Sequence, residues 1–227
     1  LEEGVMRRIA LVGGDEFRPG CESIDQAILS EVAHSNPTVV ILPTAATGEN
    51  PHKAASNGVT YFRSLGVNAK SLMVLAQSHA NDRRLVSNLD NADVIYFTGG
   101  DPNYLLETIA NSLLESKIIQ RLEKGAYLVG SSAGAMVFGS LMYYKGWKKA
   151  LGLLPETVVL PHHEKKNPQE VYEDILSTAP YNVTGLGIDG ETACVTLDGK
   201  LTVIGQGRVT QYIGQKWTVL GRGKVLD

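Results

Sequence analysis

Short apolar runs punctuate the first 130 residues, several of them ending in Gly or Pro, and this rhythm constrains the fold more than any other feature. Ile9-Ala10-Leu11-Val12 stops at Gly13-Gly14, and Thr38-Val39-Val40-Ile41-Leu42 stops at Pro43-Thr44. Ser71-Leu72-Met73-Val74-Leu75 follows, then Val94-Ile95-Tyr96-Phe97, which stops at Thr98-Gly99-Gly100. Unbroken apolar runs of this length, separated by helical stretches, are strands buried on both faces by crossover helices. The expected fold class is α/β, a three-layer sandwich around a mostly parallel sheet with right-handed connections.

The intervening helices have recognisable signals. Asp101-Pro102 offers an N-cap and a proline at the first helical position, after which Leu105, Leu106, Ile109 and Leu113 fall on one face. Asp25 to Ala33 and Lys53 to Leu65 read as helices too. Beyond Ile188 the pattern changes to short β-rich runs: Thr192 to Leu197, Leu201 to Ile204, Arg208 to Tyr212 and Trp217 to Leu220. Asp198-Gly199 is a strong hairpin signal. The chain is expected to close in an antiparallel β meander at one edge of the sheet. With no linker or internal repeat, residues 1–227 read as a single domain.

One corner carries chemistry. Ala126-Tyr127-Leu128-Val129 runs into Gly130-Ser131-Ser132-Ala133-Gly134-Ala135, and Met136-Val137-Phe138 follows. This is a buried strand, a turn of very small residues and a helix start, with Ser132 at the centre of Gly-x-Ser-x-Gly. Such a corner lifts the serine oxygen out of the backbone at unfavourable φ and ψ, so its neighbours must lack bulk. The alternative is a merely tight or phosphate-cradling turn, which the flanking strand pattern disfavours. In open α/β sheets ligands sit beyond the carboxyl ends of the strands. Gly13-Gly14, Pro43-Thr44, Gly99-Gly100 and the Ser132 corner should therefore border one crevice.

A serine nucleophile needs a base, usually histidine. Of the five histidines, His34, His52 and His79 sit in polar contexts that suggest the surface. His162 and His163 follow Val158-Val159-Leu160-Pro161, at the end of another expected strand. Either could reach the crevice, or the pair could cap a strand edge. An oxyanion hole would use the N–H of Ala133, with a second donor from Gly99-Gly100. Gly13-Gly14 lacks the spacing of a nucleotide-binding loop.

Composition excludes several classes. Hydrophobic residues make up 43% and charged residues 20%, with a net charge of −3, so nothing points to nucleic acid or a membrane surface. Cys21 and Cys194 form no metal-spaced cluster and read as a reduced pair, with a single disulfide as the alternative. Leu1-Glu2-Glu3-Gly4 lacks the pattern of a secretion signal, so a cytoplasmic location is expected.

Several segments together resemble a known family. They are Phe97-Thr98-Gly99-Gly100-Asp101, Gly130-Ser131-Ser132-Ala133-Gly134-Ala135, Leu151-Gly152-Leu153-Leu154-Pro155 with Pro161-His162, and Gly187-Ile188-Asp189 with Thr192-Ala193. In this order they resemble the serine peptidase family of aspartyl dipeptidase (peptidase E) and cyanophycinase. The resemblance spans nearly the whole chain, to Val203-Ile204-Gly205. It implies a fold similar to class I glutamine amidotransferases, with serine in place of their cysteine. It also implies Ser132 as nucleophile, His162 rather than His163 as base, and Gly100 and Ala133 as oxyanion donors. No metal or organic cofactor is implied. The implied partner is a small peptide substrate, and a homo-oligomer stays open.

Two departures stand out. The family places an acid about fifteen to eighteen positions after the serine, where this chain reads Trp147-Lys148-Lys149-Ala150. Glu156 and Glu164 are the remaining candidates to orient the histidine, each with an alternative reading as a turn or loop residue. Pro102 stands where many relatives carry glutamine, which puts substrate preference in question. Arg18, Lys145 and Arg208 are candidate partners for a substrate carboxylate. The expected function is hydrolysis of a peptide bond in short peptides by a Ser-His mechanism, with aspartyl peptides as the substrate class that the resemblance alone implies. The alternatives are a cyanophycinase-like hydrolase and a degenerate, non-catalytic binding module.

Overall fold

The computed structural model describes residues 8–32 and 35–226. The N-terminal Leu1-Glu2-Glu3-Gly4 segment and His34, both read above, lie outside the described residues. The first five strands are β1 (Ile9–Val12), β2 (Thr38–Leu42), β3 (Asn68–Ser71), β4 (Val94–Phe97) and β5 (Tyr127–Ser131). Next come β6 (Leu141–Tyr143), β7 (Trp147–Lys149), β8 (Thr157–Pro161) and β9 (Thr184–Ile188). The last four are β10 (Thr192–Leu197), β11 (Lys200–Gly205), β12 (Val209–Ile213) and β13 (Lys216–Leu220). Helices α1 (Glu22–Ser30), α2 (Pro51–Ser64), α3 (Gln77–Ala80) and α4 (Arg83–Val86) precede α5 (Pro102–Ile109) and α6 (Leu113–Glu123). Two short helices, α7 (Ala133–Met136) and α8 (Pro168–Asp174), follow.

The main sheet has the order β11-β10-β1-β5-β4-β2-β3. Its members from β1 through β3 in that order are parallel, and β10 and β11 join antiparallel beside β1. Alternate residues along each parallel strand enter different cores. Ile9, Leu11, Val40, Leu42, Ile95 and Phe97 pack with α5 and α6 through Leu105, Ile109, Leu114 and Ile118. Ala10, Val12, Val39, Ile41 and Tyr96 pack on the other face with Ile24, Ile28 and Phe62 of α1 and α2. Both faces of the sheet are covered, giving the three-layer sandwich that unbroken apolar runs require.

The chain passes from β1 to β2 across the places later filled by β4 and β5. The carboxyl ends of β1, β4 and β5 thus meet at a topological switch, where such sheets bind ligands.

Three expectations are corrected. The C-terminal strands do not form one meander at the sheet edge. The β10–β11 hairpin extends the main sheet, whereas β12 and β13 join β9 and β8 in a second sheet of order β13-β12-β9-β8. The hairpin turn itself is as expected, with left-handed φ of 47° at Asp198 and 74° at Gly199. Second, β3 lies at Asn68–Ser71 rather than Ser71–Leu75. It is an edge strand, so pairing with β2 selects its position and only Ala69 is buried within it. Third, Leu113 does not continue the apolar face of α5. Asn111 adopts φ of 57°, Ser112 caps α6, and Leu113 is 39% exposed.

Among the described residues no helix is long and apolar enough to cross a membrane. Cys21 and Cys194 are both free and buried.

Candidate active site

Ser132 leaves β5 with φ of 48° and ψ of −110°, a conformation that costs a serine about 1–3 kcal/mol. The surrounding glycines make it attainable. A Cβ on Gly130 would lie 2.4 Å from the carbonyl carbon of Gly134, and one on Gly134 would lie 2.7 Å from the Phe97 oxygen. Ser131 is fully buried, whereas Ser132 is partly open to the crevice.

Two consecutive carbonyls at the end of β1 set the geometry. The Ser132 N–H donates to the Val12 oxygen at 2.9 Å, and the His162 N–H donates to the Gly13 oxygen at 2.9 Å. The last residue of β1 and the first residue after it therefore hold the backbones of Ser132 and His162. His162 itself has left-handed φ of 52°, and its ring packs on the Cα side of Gly14. His163 is held differently. It is buried against Gly187, and its Nε2 pairs with the Tyr212 hydroxyl at 2.8 Å. Burial holds the His163 imidazole below the ordinary histidine range, which favours the neutral form. The two adjacent histidines thus differ: the His162 ring lies against Gly14, whereas the His163 ring, though it borders the crevice, is anchored in the second sheet by Tyr212.

Ser132, His162 and Gly100 line two cavities at once. The first, about 510 Å³, is walled by Met136, Tyr143, Tyr144, Leu160, Lys165 and Lys166 among others. Pro102 also faces it, so the departure at this position lies in the cavity wall. The second, about 750 Å³, has an acidic rim of Asp15, Glu16 and Glu49 together with Arg18.

The expected oxyanion donors border the same serine. Asp101 N–H donates to the Ala45 oxygen at 2.8 Å, and Gly99 N–H donates to Glu16 Oε1 at 2.8 Å. The N–H of Gly100 lies between these two fixed neighbours. Neither it nor the N–H of Ala133, first residue of α7, has a hydrogen-bond acceptor among the described residues.

The two candidate orienting acids part company. Glu156 precedes β8 and lines a separate cavity with Tyr172 and Tyr181, at the opposite end of that strand from His162. Glu164 lies near the crevice, and its Oε2 accepts from the Gly190 N–H at 3.1 Å. Its own backbone N–H, that of Gly190 and the nearby His162 hold the Glu164 carboxyl below its usual range, against a smaller desolvation effect. No side chain hydrogen-bonds to the His162 ring among the described residues.

Of the suggested carboxylate partners, Arg18 lines the second cavity, and it pairs with Asp15 at 3.2 Å. Lys145 stands over the Tyr144 ring, and Arg208 lies 3.9 Å from Asp189. The cations that do reach the first cavity, Lys165 and Lys166, lie three and four positions after His162 in sequence. Among the described residues no group of three His, Cys, Asp or Glu could hold a metal ion.

Sequence reasoning overlooked Glu16, whose Oε2 also accepts from Ser131 Oγ at 2.7 Å. The available signal was an acid two residues beyond Gly13-Gly14 at the carboxyl end of a central strand.

The model of peptidase family S51 matches residues 9–204, the whole stretch from β1 to β11. The chain belongs to peptidase family S51. This S51 chain is similar to a cyanophycinase of Geminocystis herdmanii, at 28% identity over 99% of this chain and 87% of the relative. It is 25% identical to a cyanophycinase of a Nostoc species, over 89% of this chain and 72% of the relative. Among solved structures, a peptidase from an acI-B1 actinobacterium superposes with a TM-score of 0.85. That match has 26% identity and covers 98% of this chain and 97% of the other. The resemblance read from the motifs is the right one, and the chain is an S51 hydrolase of peptide bonds with cyanophycinase-like sequence.

Proposed function

We propose that this S51 chain is a serine-type peptidase in which Ser132 attacks the scissile carbonyl and His162 takes its proton. The observation that carries this reading is the pair of adjacent carbonyls, Val12 and Gly13, that hold the backbones of Ser132 and His162 at a shared cavity wall.

As the Oγ–C bond forms, the carbonyl π electrons move to oxygen. The N–H groups of Gly100 and Ala133 receive that charge, a contribution of about 3–4 kcal/mol per donor in comparable sites. Collapse of the tetrahedral species breaks the C–N bond, and His162 returns its proton to the leaving amine. Water, deprotonated by the same imidazole, then releases the acyl group and restores the serine. Glu164 steadies the imidazolium through its charge.

The substrate is a short peptide spanning both cavities, with a carboxylate such as an aspartate side chain beside Lys165 and Lys166. A second reading has support of its own. The cyanophycinase relatives cover nearly the whole chain, and the acidic side chains of Asp15 and Glu49 around the second cavity suit a cationic side chain. Cleavage of aspartyl dipeptides against cyanophycin separates the two. Two free, buried thiols fit a reducing, cytoplasmic setting.

A fluorophosphonate probe tests the central claim. Labelling of wild type and its loss in Ser132→Ala and His162→Ala are expected. Absence of labelling in the wild type would instead favour a binding module that kept the crevice.

A further inference from the structure

We propose that Glu16 is a positioning residue for the reaction, clamping the two turns that flank Ser132. The proposal rests on the reading of Ser132 as nucleophile.

The carboxylate reaches across the crevice floor to two segments distant in sequence. Oε1 accepts from the Gly99 N–H at 2.8 Å, and Oε2 accepts from Ser131 Oγ at 2.7 Å. Gly99 begins the turn that carries the Gly100 N–H, and Ser131 is the last residue before the nucleophile. One side chain therefore fixes the spacing between an oxyanion donor and the serine it must serve. Each carboxylate oxygen is engaged by one of these two donors, which leaves the Gly100 N–H for the substrate oxygen.

The remaining side of the turn is fixed from behind. Asp101 N–H is bound by the Ala45 oxygen, so the Gly99–Asp101 peptides are pinned at both ends. Gly99, Glu16 and Ser132 are close neighbours. A Cβ on Gly99 would lie 3.4 Å from Glu16 Oε1 and 3.4 Å from the Ser132 Cβ, within ordinary van der Waals contact of both. Removing the Glu16 side chain frees the turn at its β1 end and leaves the buried Ser131 hydroxyl without its acceptor.

The experiment follows fluorophosphonate inactivation, separating the maximal rate kinact from the affinity KI. Labelling to completion counts competent sites, and thermal melting reports the fold. Glu16→Ala is expected to lower kinact by about 30–100-fold, as misplacement near 1 Å does, with KI changed less than about twofold. Glu16→Gln can still accept from Gly99 and donate to Ser131, so it should recover kinact to within about fivefold of wild type. Ser131→Ala removes one arm of the clamp and should give an intermediate loss.

Unchanged kinact in Glu16→Ala overturns the proposal. So does a change confined to KI, which would make Glu16 a ligand-contacting group, or a Glu16→Gln variant as slow as Glu16→Ala. If Glu16→Ala does not fold, Glu16→Asp, one methylene short of both partners, decides in the same way. Wild-type labelling compared with Ser132→Ala reports separately on the serine reading.

Discussion

The His162 imidazole lies so close over Gly14 that a methyl group on that glycine would sit 2.1 Å from its Cε1 and 2.5 Å from its Nε2. Gly14 also has φ of 140°, which L side chains rarely adopt. Gly14→Ala should therefore displace the ring rather than merely strain the loop. The expected outcome is about a hundredfold loss of kcat/KM, with a stability loss of about 1–3 kcal/mol. Steady-state kinetics and denaturant unfolding on the same variant check both.

The two glutamates considered as orienting acids make opposite predictions. Glu164 accepts from Gly190 near the crevice, whereas Glu156 lines a cavity at the far end of β8. Glu164→Gln should lower kcat by about tenfold. That is less than the loss of about four orders of magnitude seen when a hydrogen-bonded triad acid is neutralised, because no bond joins Glu164 to the ring. Glu156→Gln should leave kcat unchanged. Parallel kinetics on the two variants distinguish them.

Asp25 is buried, with Oδ1 unpartnered and Oδ2 accepting from the Tyr61 hydroxyl at 2.8 Å. Burial pushes its carboxyl up to about 7, the Tyr61 bond opposes this, and Glu16 adds to it. The folded state therefore binds this proton more tightly than the unfolded chain does. Stability from the group is full below the unfolded value of 3.8 and is lost as pH rises through about 7. Asp25→Asn should abolish that decline. Melting temperatures measured at pH 5 and pH 8 should fall less between the two in the variant than in wild type.

His163 gives the opposite slope. Its neutral ring is buried beside Tyr212, and burial lowers its basicity from the ordinary 6.5. The unfolded chain then binds the extra proton, so stability is present above pH 6.5 and is lost as pH falls through the lower folded value. His163→Gln should flatten this acid limb in melting experiments. It should leave Ser132 competent for labelling, since the buried ring is held against Gly187 and Tyr212 and the proton-accepting role falls to His162.

Residues whose constraints are local were legible in the sequence. β1, β2 and β4 occupy the apolar runs that announced them, because strands buried on both faces need continuous hydrophobicity. Asp101 caps α5 through bonds to the N–H groups of Asn103 and Tyr104, as the Asp-Pro pair indicated. The Ser132 corner was legible for the same reason, since its small neighbours answer to steric demands within a few residues. What depended on distant partners was not. β3 holds its place by pairing with β2, and the division of the C-terminal strands between two sheets follows from which partner each one meets. Glu16 acquires its role from groups 83 and 115 positions away, a relation that no local spacing could carry.

The hydroxyl and the imidazole ride on different sheets: Ser132 follows β5 in the larger one, and His162 follows β8 in the smaller. Their alignment is thus a property of how two layers are welded by the loop after β1, not of either layer alone. Inactivation need not wait for melting. On the proposed mechanism, a slip at that seam far smaller than any loss of secondary structure would disarm the site while its circular dichroism stayed native.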